Sequence, residues 1–288
     1  MKLRDINNKI HSLLDGMPDG SFDAMCIFED MIAAKERLAV SPDEDVPEDR
    51  CARAISAAHK RLEGYPLQYI LGEWEFYGMP FSVGEGVLIP RPDTETLVDE
   101  ALSAIDRLYD GKPLVTADLC TGSGCIAAAV AAHAADKTDM YAVEYSRDAI
   151  PYFLENIRKN NVNVKLIRGD VCDGRLLDNF VAADGSEIPL DIVISNPPYL
   201  TDKEMNALQR EVTFEPQTAL YGGSDGLRFY RAIACLWGQR IRKGGYILFE
   251  IGDRQAAAVS SILTECGFGE INTVQYAGLD RVITAIRR

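Results

Sequence analysis

Residues 114–130 read Leu-Val-Thr-Ala-Asp-Leu-Cys-Thr-Gly-Ser-Gly-Cys-Ile-Ala-Ala-Ala-Val. An apolar run, Leu114 to Leu119, leads into a turn holding Gly122 and Gly124, and an alanine-rich segment, Ile126 to Ala135, follows. A short apolar run suits a buried strand and alanine favours helix, so the stretch predicts strand, tight turn, helix. The pattern repeats downstream. Met140 to Val143, Val164 to Ile167, Ile192 to Ile194 and Tyr246 to Ile251 are further short apolar runs, with a helix expected over Arg147 to Lys159. Ile271 to Tyr276 and Arg281 to Ile286 read as an antiparallel pair at the end. Near-continuous apolar strands alternating with helices predict an α/β fold with a parallel sheet covered on both faces.

The turn after the first strand carries chemistry. Glycine lets the backbone approach a ligand closely, and a helix start presents unpaired N–H groups. Glu144 ends the next strand, about twenty residues after Gly124, where an acid bonds ribose hydroxyls in doubly wound folds. Together they point to a nucleoside-containing cofactor. Gly122-Ser123-Gly124-Cys125-Ile126-Ala127 also fits the dinucleotide pattern G-x-G-x-x-A, so a nicotinamide cofactor competes at this point. Asp118 separates the two: an acid there repels a pyrophosphate but suits the amino group and sulfonium of S-adenosylmethionine. Asp170, after the third strand, is placed to accept from an adenine amino group.

Ser195-Asn196-Pro197-Pro198-Tyr199 follows the fourth strand, at the carboxyl edge where open α/β sheets bind ligands. The two prolines fix the backbone and hold Asn196 extended. The Asn196 side-chain oxygen and the Pro197 carbonyl can each accept one hydrogen of a planar –NH2, and Tyr199 offers a ring face for it to lie against. An amide nitrogen is a poor nucleophile because its lone pair is delocalised. Two acceptors orient it for in-line attack and stabilise the positive charge that develops. No general base is needed at bond formation, and the proton can leave afterwards to water. Hydride transfer has no use for paired amide acceptors, which weakens the nicotinamide reading.

Outward from this core, the first seventy residues read as a small helical bundle, either a packing or dimerisation module or a substrate-recognition one. Leu3, Ile6, Ile10, Leu13 and Leu14 recur at helical spacing and Gly16 offers a stop. A second helix is expected from Ser21 through Arg37. Ser41 and Glu44 suggest a capping box with Pro42 at the first helical position, opening a helix that buries Cys51, Ala54, Ile55, Ala58 and Leu62 and ends near Gly64. Tyr65 to Val83, aromatic and broken by glycines, reads as a hairpin or extended linker.

Of the 288 residues, 47% are hydrophobic and the formal net charge is -14, which disfavours a free-standing nucleic-acid binder and suits a basic protein partner. Seven scattered cysteines without paired spacing suggest reduced thiols and no metal site. Met1 to Asp19 is polar rather than a charged start before an apolar run, and no apolar stretch has membrane-spanning length, so a cytoplasmic protein is expected. Gly222-Gly223-Ser224-Asp225-Gly226 matches a hydrolase nucleophile elbow, but no strand precedes it. His11, His59 and His133 all come before Ser224, whereas that fold needs its histidine last.

With these motifs in hand, the chain resembles the HemK/PrmC family of protein N5-glutamine methyltransferases, which modify the glutamine of the Gly-Gly-Gln motif in peptide chain release factors. The resemblance runs from about Pro66 to the C-terminus. It rests on Pro66-Leu67-Gln68-Tyr69-Ile70-Leu71-Gly72, Glu75-Phe76-Tyr77-Gly78, Leu88-Ile89-Pro90-Arg91-Pro92-Asp93-Thr94-Glu95 and Glu215-Pro216. Ala219-Leu220, Gly222-Gly223 with Gly226-Leu227, and Glu250-Ile251-Gly252 extend it. It implies a seven-stranded Rossmann-like S-adenosylmethionine-dependent domain over 89–288, a hairpin linker over 73–88 and a helical N-terminal domain over 1–72. Cofactor contacts would be Asp118, Cys120, Thr121, Gly122, Ser123, Gly124, Glu144, Asp170, Val171 and Asn196. The substrate glutamine would meet Asn196, Pro197, Pro198 and Tyr199, with Arg91 nearby, and catalysis would rest on Asn196, Pro197 and Tyr199. The chain departs from the family at Cys120, usually glycine, at Glu144, more often aspartate, and at Val171, often aromatic. Two alternatives stay open. One is a cousin that methylates a large-subunit ribosomal protein, which typically lacks the Arg91 to Glu95 run. The other is an adenine-N6 DNA methyltransferase, which shares Asn-Pro-Pro-Tyr but needs a basic face. A non-catalytic binding module on the same fold is disfavoured by the intact Asn196 and Glu144.

Overall fold

In the computed structural model, which describes residues 1–33, 41–181 and 185–288, the chain divides into two units. One comprises Met1–Glu73 with Gln209–Phe214, the other Trp74–Leu208 with Glu215–Arg288.

In the smaller unit the helical spacing at the start forms α1 (Leu3–Leu14), with Ile6, Ile10 and Leu14 fully buried. The helix α2 (Gly20–Phe28) continues into a wider turn over Glu29–Ala33; residues 34–37 of the expected second helix lie outside the described residues. The expected capping box is not one. Glu44 and Pro42 instead give their carbonyls to the N–H groups of Leu3 and Arg4, satisfying the open start of α1. The next helix, α3 (Glu48–Leu62), begins later, with Pro47 as its cap and Glu48 and Asp49 in its first turn. Its buried face also differs from expectation: Leu62 is 41% exposed while Arg61 is 5% exposed, beside Cys51, Ala54, Ala57 and Ala58. Arg61 donates through Nε to Asp23 of α2 at 2.6 Å and through its other arm to Glu211. The short α4 (Leu67–Leu71) closes this part of the chain, stopped by Gly72 in the left-handed conformation.

The aromatic and glycine-broken stretch forms a hairpin, β1 (Glu73–Phe76) and β2 (Met79–Ser82). Its Phe76 and Phe81 belong to a core of the larger unit. There the elements run α5 (Glu95–Leu108), β3 (Leu114–Leu119), α6 (Cys125–His133), β4 (Thr138–Glu144), α7 (Ile150–Lys159), β5 (Lys165–Arg168) and β6 (Leu190–Ser195). They continue through α8 (Asp202–Met205), α9 (Arg228–Leu236), β7 (Ile241–Glu250), α10 (Ala256–Glu265), β8 (Phe268–Tyr276) and β9 (Leu279–Arg287). The seven strands lie in the order β5-β4-β3-β6-β7-β9-β8. From β5 through β7 they are parallel, and β8 and β9 close the sheet antiparallel, as the sequence predicts. One face of the sheet packs on α5, α6 and α7, the other on α9 and α10, giving two cores. The helix α5 was not foreseen, although Leu97, Val98, Ala101, Ala104 and Ile105 form its buried stripe. Among the described residues no helix is long and apolar enough to cross a membrane.

The chain order reverses between β3 and β6, so a crevice opens beyond their carboxyl ends. Asn156 of α7 braces one wall of it. Its amide accepts from the Ser82 N–H at 2.6 Å and donates to the carbonyls of Ser82 and Ser123, tying hairpin to glycine turn.

Candidate active site

Sheet register brings the sequence motifs together. Val143, Leu119, Ser195 and Phe249 form one row across β4, β3, β6 and β7. The next residue on each strand is Glu144, Cys120, Asn196 and Glu250, so all four leave the same edge side by side. Ser195 adds a hydroxyl bond to the Leu119 carbonyl at 2.6 Å, fixing the two central strands at that edge.

The glycine turn has the backbone that its sequence requires. Gly122 and Gly124 sit at φ +56° and +80°, and so does Cys120, at +63°. A side chain at 120 holds the left-handed region at a cost of about 1–3 kcal/mol. Cys120→Gly is therefore expected to stay within about 1 kcal/mol of the wild type, relieved strain offsetting the freer unfolded chain. Cys120→Val, β-branched at the same φ, is expected to lose roughly 2–3 kcal/mol. Urea denaturation of the two variants checks the pair; equal stability would mean that the turn imposes no such demand.

Two acids lie under the turn. Glu144, 7% exposed, accepts from the Gly122 N–H at 2.7 Å and the Ser146 N–H at 2.6 Å, with the Tyr145 N–H also on the carboxylate, so it pins the turn and keeps some acceptor capacity. Burial raises its carboxyl, against the pull of those N–H groups. Asp118 is fully buried, and Oδ2 takes the Thr121 hydroxyl at 2.5 Å. Burial pushes it up to about 7, opposed by the Thr121 hydroxyl and the Ala127 N–H. Its Oδ1 makes no hydrogen bond among the described residues. An unsatisfied buried acceptor calls for a donor. Spare acceptors on Glu144 and an orphan oxygen on Asp118, beside a turn open to close approach, fit a ligand bearing ribose hydroxyls and an ammonium group.

Asp170 and Val171 are placed less simply. The Asp170 carboxylate accepts from the Cys172 N–H at 2.9 Å and shapes its own turn. Val171 is 4% exposed in the second core, its carbonyl held by the Trp237 indole N–H. Both lie past the end of β5, beyond Glu144 from the turn.

The Asn196 tetrapeptide is gripped from below. Glycine is demanded at 222, where a Cβ would meet the Pro198 carbonyl oxygen at 2.6 Å, and at 226, where it would meet the Tyr199 carbonyl oxygen at 2.3 Å. Gln255 donates to that Tyr199 carbonyl at 3.1 Å. The elbow-like Gly222 to Gly226 run is thus a cradle for the tetrapeptide, with no nucleophile role. Burial and the nearby Glu250 charge keep the Tyr199 phenol protonated. Arg91 pairs with the buried Glu215 carboxylate, whose other oxygen accepts from the Ile89 N–H at 3.0 Å. Two residues without an assigned role in the sequence reading join the site. Thr94 donates to Glu250 at 2.6 Å, and the Asn196 amide nitrogen lies 3.4 Å from the Thr94 hydroxyl. Burial pushes Glu250 up to about 7, while hydrogen bonds from Thr94 and Asn196 pull it down. Among the described residues, no group of three or more His, Cys, Asp or Glu is placed to hold a metal ion.

Known proteins share this plan. Residues 101–223 match the family model of the methyltransferase small domain, and residues 11–72 match that of the PrmC N-terminal domain. A human methyltransferase 10 domain containing protein has a similar fold, with a TM-score of 0.52 at 18% identity over 83% of this chain and 96% of that one. The release factor glutamine methyltransferase of Fusobacterium nucleatum is 38% identical, covering 98% of this chain and 78% of the relative. That of Clostridium acetobutylicum is 35% identical over 100% of this chain and 99% of the relative. Likeness at that level along the whole chain, on a sheet edge that assembles the glycine turn, Glu144 and Asn-Pro-Pro-Tyr, places it: the chain belongs to the release factor glutamine methyltransferase family.

Proposed function

We propose that this protein transfers the methyl group of S-adenosylmethionine to the side-chain amide nitrogen, N5, of the glutamine in the Gly-Gly-Gln motif of peptide chain release factors. The observation that carries the reading is the register of β3 with β6, which sets Asn196 beside the glycine turn. S-adenosylmethionine supplies an electrophilic methyl on a sulfonium. Cys120 and Thr121 to Gly124 would line its approach, Glu144 would accept from the ribose hydroxyls, Asp118 would answer the ammonium, and Asp170 with the backbone at Val171 would meet the adenine. Asn196 Oδ1 and the Pro197 carbonyl accept the two amide hydrogens, and the Tyr199 ring and Pro198 confine the amide plane. Held this way, the nitrogen would be oriented for in-line attack, and the acceptors would stabilise charge as it grows. The proton then leaves to water. Arg91, set by Glu215, borders the substrate glutamine.

The helical part, 1–72, and the hairpin, 73–88, precede the catalytic domain, 89–288, and the partner is a protein rather than nucleic acid, consistent with the net charge of -14. A cytoplasmic location follows from that partner. Incubating the protein with S-adenosylmethionine and an unmodified release factor, then mapping the digest by mass spectrometry, tests the reading. One added methyl on the Gly-Gly-Gln peptide is expected. Methyl on a ribosomal protein or on DNA instead would redirect it to one of the alternatives.

A further inference from the structure

We propose that Thr94 and Glu250 are positioning residues that set which way round the Asn196 amide sits, and so which atom it offers to the substrate. The proposal rests on the acceptor role given to Asn196 above. An asparagine amide has two nearly isosteric ends, an oxygen that accepts and an NH2 that donates. A substrate amide presents its own NH2, so only the oxygen end is productive. Flipped, Asn196 would set donor against donor and orient nothing.

The structure contains a chain of hydrogen bonds that removes this choice. Glu250, 2% exposed at the end of β7, is an acceptor when ionised. The one hydroxyl hydrogen of Thr94, also 2% exposed, goes to Glu250 Oε2 at 2.6 Å. The Thr94 oxygen then has only lone pairs for its other neighbour, which is the Asn196 amide at 3.4 Å. Lone pairs require a donor, so Nδ2 turns toward Thr94 and Oδ1 turns away from it. Glu250 accepts from the same Asn196 amide and reinforces that sense. Thr94 is itself fixed. It ends a single 3-10 turn, Pro92–Thr94, in which Asp93 pairs with Arg281 of β9 at 3.1 Å and which Arg91 precedes on Glu215. A buried polar chain with all members matched specifies one arrangement.

Thr94→Val keeps the shape and removes the relay; Thr94→Ser keeps the hydroxyl. At pH 8.5, where Glu250 is ionised, the valine variant is expected to lose at least tenfold in kcat on the release factor. Its Kd for S-adenosylmethionine should stay within twofold of the wild type, and the serine variant should stay within threefold in kcat. Equal kcat for the valine variant and the wild type would overturn the proposal, as would a serine variant as impaired as the valine one. Should the valine variant not fold, Glu250→Gln decides. Its amide can donate to Thr94 as well as accept, so both amide senses coexist; kcat falls severalfold with cofactor Kd unchanged, and an unaltered kcat overturns the proposal. A wild-type protein that methylates no release factor fails the functional reading and this proposal together. An active wild type with unaffected variants fails only the proposal.

Discussion

Asn196→Ala is expected to lower methyl transfer to the release factor roughly 10²–10³-fold, the loss that removal of one preorganised polar contact to developing charge produces. The substitution takes away the acceptor that holds one of the two amide hydrogens. The Pro197 carbonyl remains, so the substrate amide can still dock but swings about a single bond and spends little time in line with the methyl. Folding should be little affected. Asn196 is half-buried at the end of β6, and Thr94 keeps its hydrogen bond to Glu250 without it. Cofactor binding should fall no more than about threefold, because most of the proposed cofactor contacts fall to the glycine turn, Glu144 and Asp118. Methyl incorporation into the release factor and an equilibrium titration with S-adenosylmethionine, run on the same preparation, separate these effects. Wild-type turnover would remove Asn196 from the mechanism, and loss of cofactor binding would make it a cofactor residue instead.

The parts of the molecule that could be read from sequence are those in which local pattern and tertiary demand agree. The run Leu114 to Leu119 is β3 residue for residue, because a strand buried on both faces is mostly apolar, here at Leu114, Val115, Ala117 and Leu119. Gly122 and Gly124 announce a left-handed backbone that few other residues tolerate, and Asn-Pro-Pro-Tyr is rigid wherever it occurs. The misreadings arise where a remote partner decides. Ser41 to Glu44 carries a helix-start signature, but its carbonyls are taken by the open N–H groups of α1, about forty residues earlier. Arg61 was passed over because arginine is rarely buried, and its carboxylate partners lie 38 and 150 residues away. Thr94 and Glu250 stand inside the quoted motifs, yet they are 156 residues apart, and only the folded structure shows that they meet.

Arg61→Ala is expected to destabilise the smaller unit by about 3–5 kcal/mol, because it strands a charge rather than merely deleting a contact. Arg61 and Asp23 have side chains only 6% and 3% exposed, whereas that of Glu211 is 45% exposed. Without the guanidinium, Glu211 can turn to water but Asp23 cannot. Asp23 already sits above its ordinary carboxyl range because burial outweighs its bonding to Arg61. Losing the arginine pushes it further, toward a neutral acid with no adequate donor beside it. The lost stem also removes packing from the buried face of α3, where Ala57 and Ala58 lie one turn away. Hydrogen exchange on the full-length protein measures the effect where it falls. Peptides from α1, α2 and α3 should lose roughly 10²–10⁴-fold in protection, while those from β3 and β6 stay unchanged. Replacing both partners with apolar residues of similar size, Arg61→Met with Asp23→Leu, should recover most of the loss, since a matched hydrophobic pair often equals a buried ion pair. If the double variant is as unstable as Arg61→Ala, the stranded carboxylate is not the cause, and the packing of the long arginine stem carries the effect instead.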